Sequence, residues 1–356
     1  MKKFIALLLC IAVVFTFVGC GNKAPTPAET PAEAPAQADT STPADAEPVI
    51  EPLTLKIGHT FTTESIHHKT YQAFAAAIEE ASGGAITVEI YPSSTLGSET
   101  EQLEMVQNGA LDIFMSGSIY ANFIPSYNAV GLPYLYADSA SLLGFVEEGG
   151  GWEIIQQMFE GSGFTPISFW SMGSARSICS KKPIYKVDDL AGMKVRCPES
   201  PLFVDTFKYM GANPTAIALS ETYTSIQTGV ADACEMSPSY IYDNKFYEVA
   251  PYYTLTNHFV EYGVCTMSTI TYEKLSPAQW ACIEVGIEAM NAYNRANAAS
   301  ANEEALQKMI DEGLTVIELD AEARQGFVDA VTPMYEAYAA QYGELAKAWI
   351  DAALAY

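Results

Sequence analysis

The chain has 356 residues, of which 43 are acidic and 18 are Lys or Arg, and its formal net charge is −25 at pH 7. This charge excludes nucleic acid as a partner, because no basic stripe is available to replace phosphate counterions. About three hundred residues follow the N-terminal segments, enough for one large or two medium α/β domains with a substantial core.

The first residues predict an export signal. Two lysines precede an apolar run that is too short and too close to the N-terminus for a membrane span. The run ends in Phe17-Val18-Gly19-Cys20, which resembles the lipobox of bacterial lipoproteins. We therefore expect residues 1–19 to be a lipoprotein signal peptide and Cys20 to carry a lipid anchor. An ordinary signal peptide is the alternative.

Residues 20–52 consist mainly of Ala, Pro, Thr and acidic residues. This composition offers little apolar surface to bury, so it predicts a flexible, lipid-anchored tether. A tether of about thirty residues would let the following domain move over tens of ångströms from the membrane. The expected location is outside the cytoplasm, with the lipid in the outer face of the cytoplasmic membrane.

From residue 53 onward, strand and helix patterns alternate. The opening βαβ pattern predicts parallel strands joined by a right-handed crossover. The predicted strands of this first part are 53–58, 85–91, 111–115 and 164–170, and the predicted helices include 65–82 and 152–159.

The alternation continues in a second part. Its predicted strands are 193–196, 215–218 and 232–236, and its predicted helices are 201–210 and 220–228. Ser276, followed by Pro277 at the first helical position, then opens a helix of about 35 residues that ends near Gly313. The pattern predicts an α/β, two-lobed, periplasmic-binding-protein-like fold with a central cleft and a long helix spanning both lobes. Ligands of such sheets lie at the carboxyl ends of the strands.

Arginines are rare in this chain, and two of the four lie twenty residues apart, at Arg176 and Arg196. A planar guanidinium offers a rigid fork of donors that matches a carboxylate, so this pair suggests an anion receptor. Arg196 comes at the carboxyl end of a predicted strand, as do Thr60, Trp170 and Glu235. Internal salt bridges or helix ends are the alternative use of both arginines.

The cysteines and histidines do not indicate a metal site. Five cysteines remain beyond Cys20, scattered without CxxC spacing, and we expect them to be buried small hydrophobes. His67 and His68 are neighbours in a predicted helix, so their side chains diverge and make poor joint ligands. The sequence predicts no metal and no cofactor.

Several motifs occur in a consistent order: LKIGH, YPSSTLGSE, NGALDI, and the block from DDLAGMKVRCPES to GVADACE, followed by KFYEV and LTNH. With them, nearly all of residues 53–356 resembles the solute receptors of tripartite ATP-independent periplasmic (TRAP) transporters, of the C4-dicarboxylate-binding type. The resemblance implies two lobes that close on a small organic acid like a hinge. Lobe I would comprise 53–173 plus about 263–302, and lobe II 174–262 plus about 303–356.

The resemblance also implies roles for residues of the second lobe. Arg196 would bind the ligand carboxylate bidentately, and Arg176 would support that carboxylate or a neighbouring oxygen. Asn213 matches a turn that lines the cleft, with a plain turn residue as the alternative. Met236 stands where many members carry Asn or a bulky residue, and its thioether cannot donate a hydrogen bond.

Aromatic residues and the first lobe supply the remaining candidates. Tyr223 matches an aromatic position of the family and Trp170 could wall the cleft, although core packing explains either equally well. Thr60, Glu99 and Ser118 would face the ligand from the first lobe. Glu99 could instead be favourable charge at a helix N-terminus.

The expected function is capture of a small organic acid and its delivery to TRAP membrane permease subunits by a monomeric binding protein that is not an enzyme. Receptors of ATP-driven importers share the cleft and are the alternative. An exported hydrolase is a more distant alternative, because G-x-S-x-G and H-E-x-x-H motifs are missing. Residues 320–356 are helical enough in pattern to permit a swapped C-terminal helix.

Overall fold

A computed structural model describes residues 50–356, which belong to one compact unit. The expectations for the signal peptide, for Cys20 and for nearly all of the tether lie outside the described residues. The strands are β1 (Leu53–Gly58), β2 (Ile86–Tyr91), β3 (Ile113–Ser116), β4 (Phe164–Ser180), β5 (Lys194–Cys197), β6 (Asn213–Ala216), β7 (Ala233–Met236), β8 (Tyr252–Ser268) and β9 (Thr315–Ile317).

Helices cover the sheet, in keeping with the α/β pattern. They are α1 (Ile66–Ala81), α2 (Glu99–Asn108), α3 (Ser139–Glu148), α4 (Gly151–Phe159), α5 (Pro201–Tyr209), α6 (Thr222–Gln227), α7 (Pro238–Asp243), α8 (Thr269–Tyr272), α9 (Pro277–Asp311), α10 (Ala321–Val331), α11 (Pro333–Gln341) and α12 (Glu344–Ala355). Within residues 50–356, none of these helices combines the length and the apolar character that crossing a membrane requires.

The strands of residues 50–356 form one sheet in the order β2-β1-β3-β8-β4-β7-β5-β6, with β9 beside β8. β1 pairs in parallel with β2 and β3, so the predicted βαβ opening is confirmed. In the second lobe β5 pairs in parallel with β6 and β7. Between these two parallel groups, β4 and β8 pair with each other and with β7 and β3 in the antiparallel sense. The two-lobed α/β architecture is confirmed.

The two central strands are the main departure from the predicted elements. β4 and β8 each contain 17 residues and run through both lobes. The prediction that the first of them ends near Trp170 was wrong, and Arg176 lies inside β4 rather than beyond it. The ladder with β8 accounts for the difference, because it continues past Trp170 to Ser180.

One glycine lets the long helix approach β4. The pairing of β4 with β8 loses register between Ser171 and Ala175, and Gly173 within this bulge has φ +73°. A Cβ atom at Gly173 would lie 2.5 Å from backbone atoms of Ala298 and Ala299 in α9. A side chain here is therefore excluded both by the backbone conformation and by space.

The long helix α9 fulfils the prediction of a helix of about 35 residues that braces the molecule. Ser276 caps it by accepting a hydrogen bond from the Gln279 N–H, and Pro277 occupies its first turn. The helix packs on α1, α7 and β4. Asn302 donates a hydrogen bond to the Met172 carbonyl at the β4 bulge (2.7 Å) and accepts one from the Ser239 N–H in α7 (3.1 Å).

Three buried apolar clusters hold these elements together. The largest includes the C-terminal helices, where Trp349 of α12 packs edge-on against Phe145 and donates a hydrogen bond to the Tyr136 hydroxyl. All five cysteines in the described part of the chain are buried, as the sequence suggested, and the structure shows each as a free thiol. They fill space as small hydrophobes.

All four histidines of the chain are buried. His59, His67 and His68 form a cluster under the first lobe, in which the His59 Nε2 lies 3.0 Å from the His68 Nδ1. The His67 ring lies against the Phe61 ring, with the two centroids 4.3 Å apart and the planes tilted by 37°. Neither ring nitrogen of His67 has a hydrogen-bond partner among the described residues. Burial lowers the pKa of His59 and of His67 to about 3. These imidazoles are therefore neutral in the folded state.

The buried histidines should make the fold sensitive to acid. Their pKa rises to about 6.5 on unfolding, so the unfolded chain binds more protons between pH 3 and 6.5 and stability falls as pH drops below 6.5. We expect His67→Phe, which fills the same space without a titrating group, to be progressively more stable than the wild type below pH 6.5. The difference should grow by about 1.4 kcal/mol per pH unit.

Urea unfolding of both proteins at pH 7.5, 6.5, 5.5 and 4.5 measures this difference. Comparing the two proteins at each pH cancels the contribution of the carboxylates. A constant difference across this range would show that His67 does not remain neutral when folded.

Candidate functional site

A cleft lies between the two lobes, where the carboxyl ends of strands from both meet. Its empty volume is about 770 Å³, including the mouth that opens to solvent. This is within the range of small-molecule sites. An adjoining depression of about 320 Å³ shares Thr60, Glu99 and Arg196 with the cleft.

Arg196 presents an open guanidinium to this cleft. It lies near the carboxyl end of β5, next to Thr215 of β6 and Cys234 of β7, and is 2% exposed. Its Nε donates a hydrogen bond to the Ile217 carbonyl (2.8 Å), which orients the planar group. Within residues 50–356 its two terminal nitrogens make no hydrogen bond to another residue. Burial lowers the pKa of Arg196, opposed by Glu235, but a guanidinium stays charged at neutral pH.

Arg176 also reaches the cleft, but its donors are occupied. Its Nε and Nη2 form a bidentate pair with the Glu235 carboxylate at 2.6 Å each, and Nη2 also donates to the Glu235 carbonyl. Its Nη1 donates to Glu261 at 2.5 Å. Four of its five N–H groups are therefore used within the protein. Burial acts to lower the pKa of Arg176, but the two carboxylates outweigh it and the pKa is raised.

The two carboxylates come from the strands on either side of β4. Burial acts to raise the pKa of Glu235, but the Arg176 ion pair prevails and the pKa is lowered, so Glu235 is ionised. Burial raises the pKa of Glu261, and its Oε2 has no partner among the described residues. His258, whose Nε2 lies 3.5 Å from Glu235, is held neutral because burial lowers its pKa.

Glu99 faces the cleft from the first lobe. It is the first residue of α2, but the cap of that helix is formed by Ser98 and Glu101, which bond reciprocally. Glu99 is therefore not needed at the helix end, and it accepts a hydrogen bond from the Ser116 hydroxyl instead. Burial raises the pKa of Glu99, opposed by Ser116 and by Arg196.

The structure brings six of the ten predicted ligand-binding residues together in the lining of the cleft: Thr60, Glu99, Ser118, Arg176, Arg196 and Met236. Glu235 lies behind this lining and reaches the cleft only through Arg176. The position of Glu235 favours holding Arg176 in place rather than contacting a ligand directly.

Three predicted residues lie outside the lining. Asn213 pairs with Lys194 at the amino end of β5, whereas the cleft is at the carboxyl end, and its amide donates to the Gly192 carbonyl. Trp170 is buried against Tyr71 in the core of the first lobe. Tyr223 extends from α6 to bond Glu248 (3.0 Å). The contacts of Asn213 and Trp170 are those that the turn and packing interpretations imply, and a ligand contact by any of the three stays a prediction.

Much of the cleft lining was missed from the sequence. Phe259, Val260, Glu261 and Tyr262 all come from the middle of β8. Residues 252–268 are rich in Tyr, Thr, Val and Phe, so strand propensity could have found β8. Other missed lining residues include Met172, Leu202, Phe203 and Tyr240.

Comparison with known proteins identifies the family. The family model of bacterial extracellular solute-binding protein family 7, DctP, matches residues 57–341. The chain therefore belongs to this family, whose similar solved members are TRAP periplasmic solute-binding proteins. The resemblance drawn from the motifs is confirmed.

Individual relatives cover most of the chain. The C4-dicarboxylate-binding periplasmic protein DctP of Rhodobacter capsulatus is 31% identical over 88% of this chain and 94% of its own. A TRAP solute-binding protein of Pseudomonas putida F1 with bound D-glucuronate is 30% identical, with a TM-score of 0.77 over 84% of this chain and 96% of its own. One from Sulfitobacter sp. NAS-14.1 with bound β-D-galacturonate is 26% identical, with a TM-score of 0.80 over 85% and 100%.

Proposed function

We propose that this protein captures a small organic acid by binding its carboxylate to Arg196 and delivers it to the membrane subunits of a TRAP transporter. The observation that carries the proposal is the open fork of Arg196 in a cleft between two lobes. A bidentate pair between guanidinium and carboxylate is much stronger in such a partly dry site than in water. The acids named for similar structures, glucuronate and galacturonate, are carboxylates too.

Binding would be coupled to movement of the lobes. Arg196 and Met236 belong to the second lobe, whereas Thr60, Glu99 and Ser118 belong to the first. A ligand that contacts both sets favours the closed arrangement by its differential affinity, and the permease would read that arrangement. We assign 53–173 plus about 263–302 to lobe I and 174–262 plus about 303–356 to lobe II, as the motifs suggested.

The proposal extends to the anchor and to the working form. The lipobox-like sequence before Cys20 and the Pro-rich residues 20–52 support an exported protein held by lipid at the outer face of the cytoplasmic membrane. A monomer suffices for this function, because all the groups that would hold the acid come from one chain. Neither a cofactor nor a catalytic residue enters the proposal.

Thermal unfolding of the compact unit Pro48–Tyr356, screened against organic acids and their matched amides, tests the function. A true ligand raises the unfolding free energy in proportion to ln(1 + [L]/Kd), about 2.7 kcal/mol at one hundred times Kd. We expect at least one acid to stabilise the protein while its amide does not. Stabilisation by neutral or cationic solutes alone would refute carboxylate capture.

A further inference from the structure

Among the described residues that line the cleft, only Arg196 has a guanidinium group with enough free donors to bind a carboxylate bidentately. The terminal nitrogens of Arg196 are free to donate, whereas Arg176 donates four of its five N–H groups to Glu235 and Glu261. Within the described part of the chain, no lysine and no third arginine lines the cleft. A second carboxylate on the ligand would therefore be buried without a cation, beside Glu99 and Glu261.

The remaining lining of the cleft is largely apolar. Twelve of the twenty-two lining residues are aliphatic, aromatic or methionine, and two of these, Tyr240 and Tyr262, carry a hydroxyl group. Three of the twelve, Met115, Met172 and Met236, have thioethers that cannot donate hydrogen bonds. A sugar acid would bury several hydroxyl groups against this wall, and a buried hydroxyl without a partner costs binding free energy.

Several polar side chains lie near Arg196. Thr60 and Glu99 border both the cleft and the adjoining depression that Arg196 shares, and Ser118 lies in the cleft lining. The Ser116 hydroxyl is already committed to Glu99. The Arg196 end can therefore serve the carboxylate and one oxygen next to it. Most of the remaining lining is apolar, and the Tyr240 and Tyr262 hydroxyls and the Glu261 carboxyl group are further polar groups in it.

From this division we infer that the ligand is a monocarboxylate with an apolar body and a single oxygen beside the carboxylate, as in a branched or aromatic 2-oxo or 2-hydroxy acid. Dicarboxylates and sugar acids fit the site less well. The Glu99 carboxyl group, whose pKa is raised by burial, borders the same end of the cleft as Arg196. This inference rests on the proposed function, because it assumes that Arg196 receives the carboxylate.

Calorimetric titration of the compact unit Pro48–Tyr356 with a matched panel tests the inference. The panel contains 4-methyl-2-oxopentanoate, 3-phenyl-2-oxopropanoate, D-glucuronate, D-galacturonate and succinate. We expect one of the two apolar 2-oxo acids to bind at least about tenfold more tightly than the other three. Equal or tighter binding of a sugar acid or succinate would overturn the inference and leave the proposed function standing. Binding of none of these or other acids would overturn the function itself.

Met236 allows a matched test of the apolar wall, because it lines the cleft and is 2% exposed. Met236→Asn should weaken binding of the preferred 2-oxo acid about tenfold without weakening that of D-glucuronate. Met236→Leu keeps the apolar character and nearly the same volume, so it should lose much less affinity for the 2-oxo acid than Met236→Asn does. An equal loss for both acids in Met236→Asn would indicate a damaged site and count against the apolar wall as the source of selectivity.

Discussion

Replacing Arg196 by alanine is expected to weaken carboxylate binding by at least about thirtyfold, because truncation of one partner of a buried charge pair costs 2 to 5 kcal/mol or more. Arg196→Lys should retain part of the affinity, since it keeps the charge but loses the fork. The fold should persist, because Arg196 forms no ion pair among the described residues and its Nε is bonded only to a carbonyl. Calorimetric titration with the best acid of the screen measures the loss.

Lys194 provides a control for Arg196, because it lies on the same strand but is exposed at the end away from the cleft. Lys194→Ala removes one positive charge and should leave the affinity unchanged. Wild-type binding by Arg196→Ala, or an equal loss in Lys194→Ala, would contradict the role of Arg196 as the carboxylate receptor.

Replacing Arg176 by methionine is expected to destabilise the protein more than any change at Arg196. The substitution leaves Glu235 and Glu261 buried beside each other without their shared cation. Breaking a buried ion pair in this way costs about 3 to 5 kcal/mol, which corresponds to a fall in Tm of roughly 5 to 15 °C for a domain of this size. Calorimetry without ligand measures the change.

A triple variant distinguishes lost charge balance from lost packing. Arg176→Met combined with Glu235→Met and Glu261→Met removes all three charges while filling the space. Buried ion groups replaced by apolar residues of similar volume are often no less stable, so most of the lost stability should return. If the triple variant is as unstable as Arg176→Met alone, the destabilisation comes from packing and the electrostatic explanation is wrong.

The sequence predicted the fold well where one pattern decided the structure. The helix α9 was found because Ser276 and Pro277 mark its start and its buried face continues without interruption to Met309. β8 was missed because nearly all of it is buried on both faces, so it lacks the alternation of polar and apolar residues that marks a half-buried strand. The length of β4 depends on pairing with β8, and such pairing joins residues far apart in the chain.

The same difference between local patterns and long-range contacts applies to the prediction of site residues. Arg196, Thr60, Glu99, Ser118 and Met236 were located because the motifs place them at strand ends or helix starts, although their contacts with a ligand stay predictions. The partners of Arg176 could not be found in this way, since Glu235 and Glu261 lie 59 and 85 residues further along the chain.

Asn213, Trp170 and Tyr223 lie outside the cleft lining, and contacts with neighbouring residues fix the direction of each side chain. Asn213 lies at the amino end of β6, and only the pairing of β6 with β5 shows that this end is away from the cleft. The Trp170 side chain could point to the cleft or to the core, and its contact with the Tyr71 ring of α1 places it in the core. These choices depend on tertiary contacts rather than on local pattern.

The central strands β4 and β8 also determine how the molecule comes apart. Both contribute backbone hydrogen bonds to the sheet of each lobe, so neither lobe can lose its sheet while the other keeps its own intact. We therefore expect the two lobes to unfold as one cooperative unit rather than as two independently melting domains. An acid bound between the lobes would therefore raise the free energy of unfolding of the whole sheet rather than of one lobe.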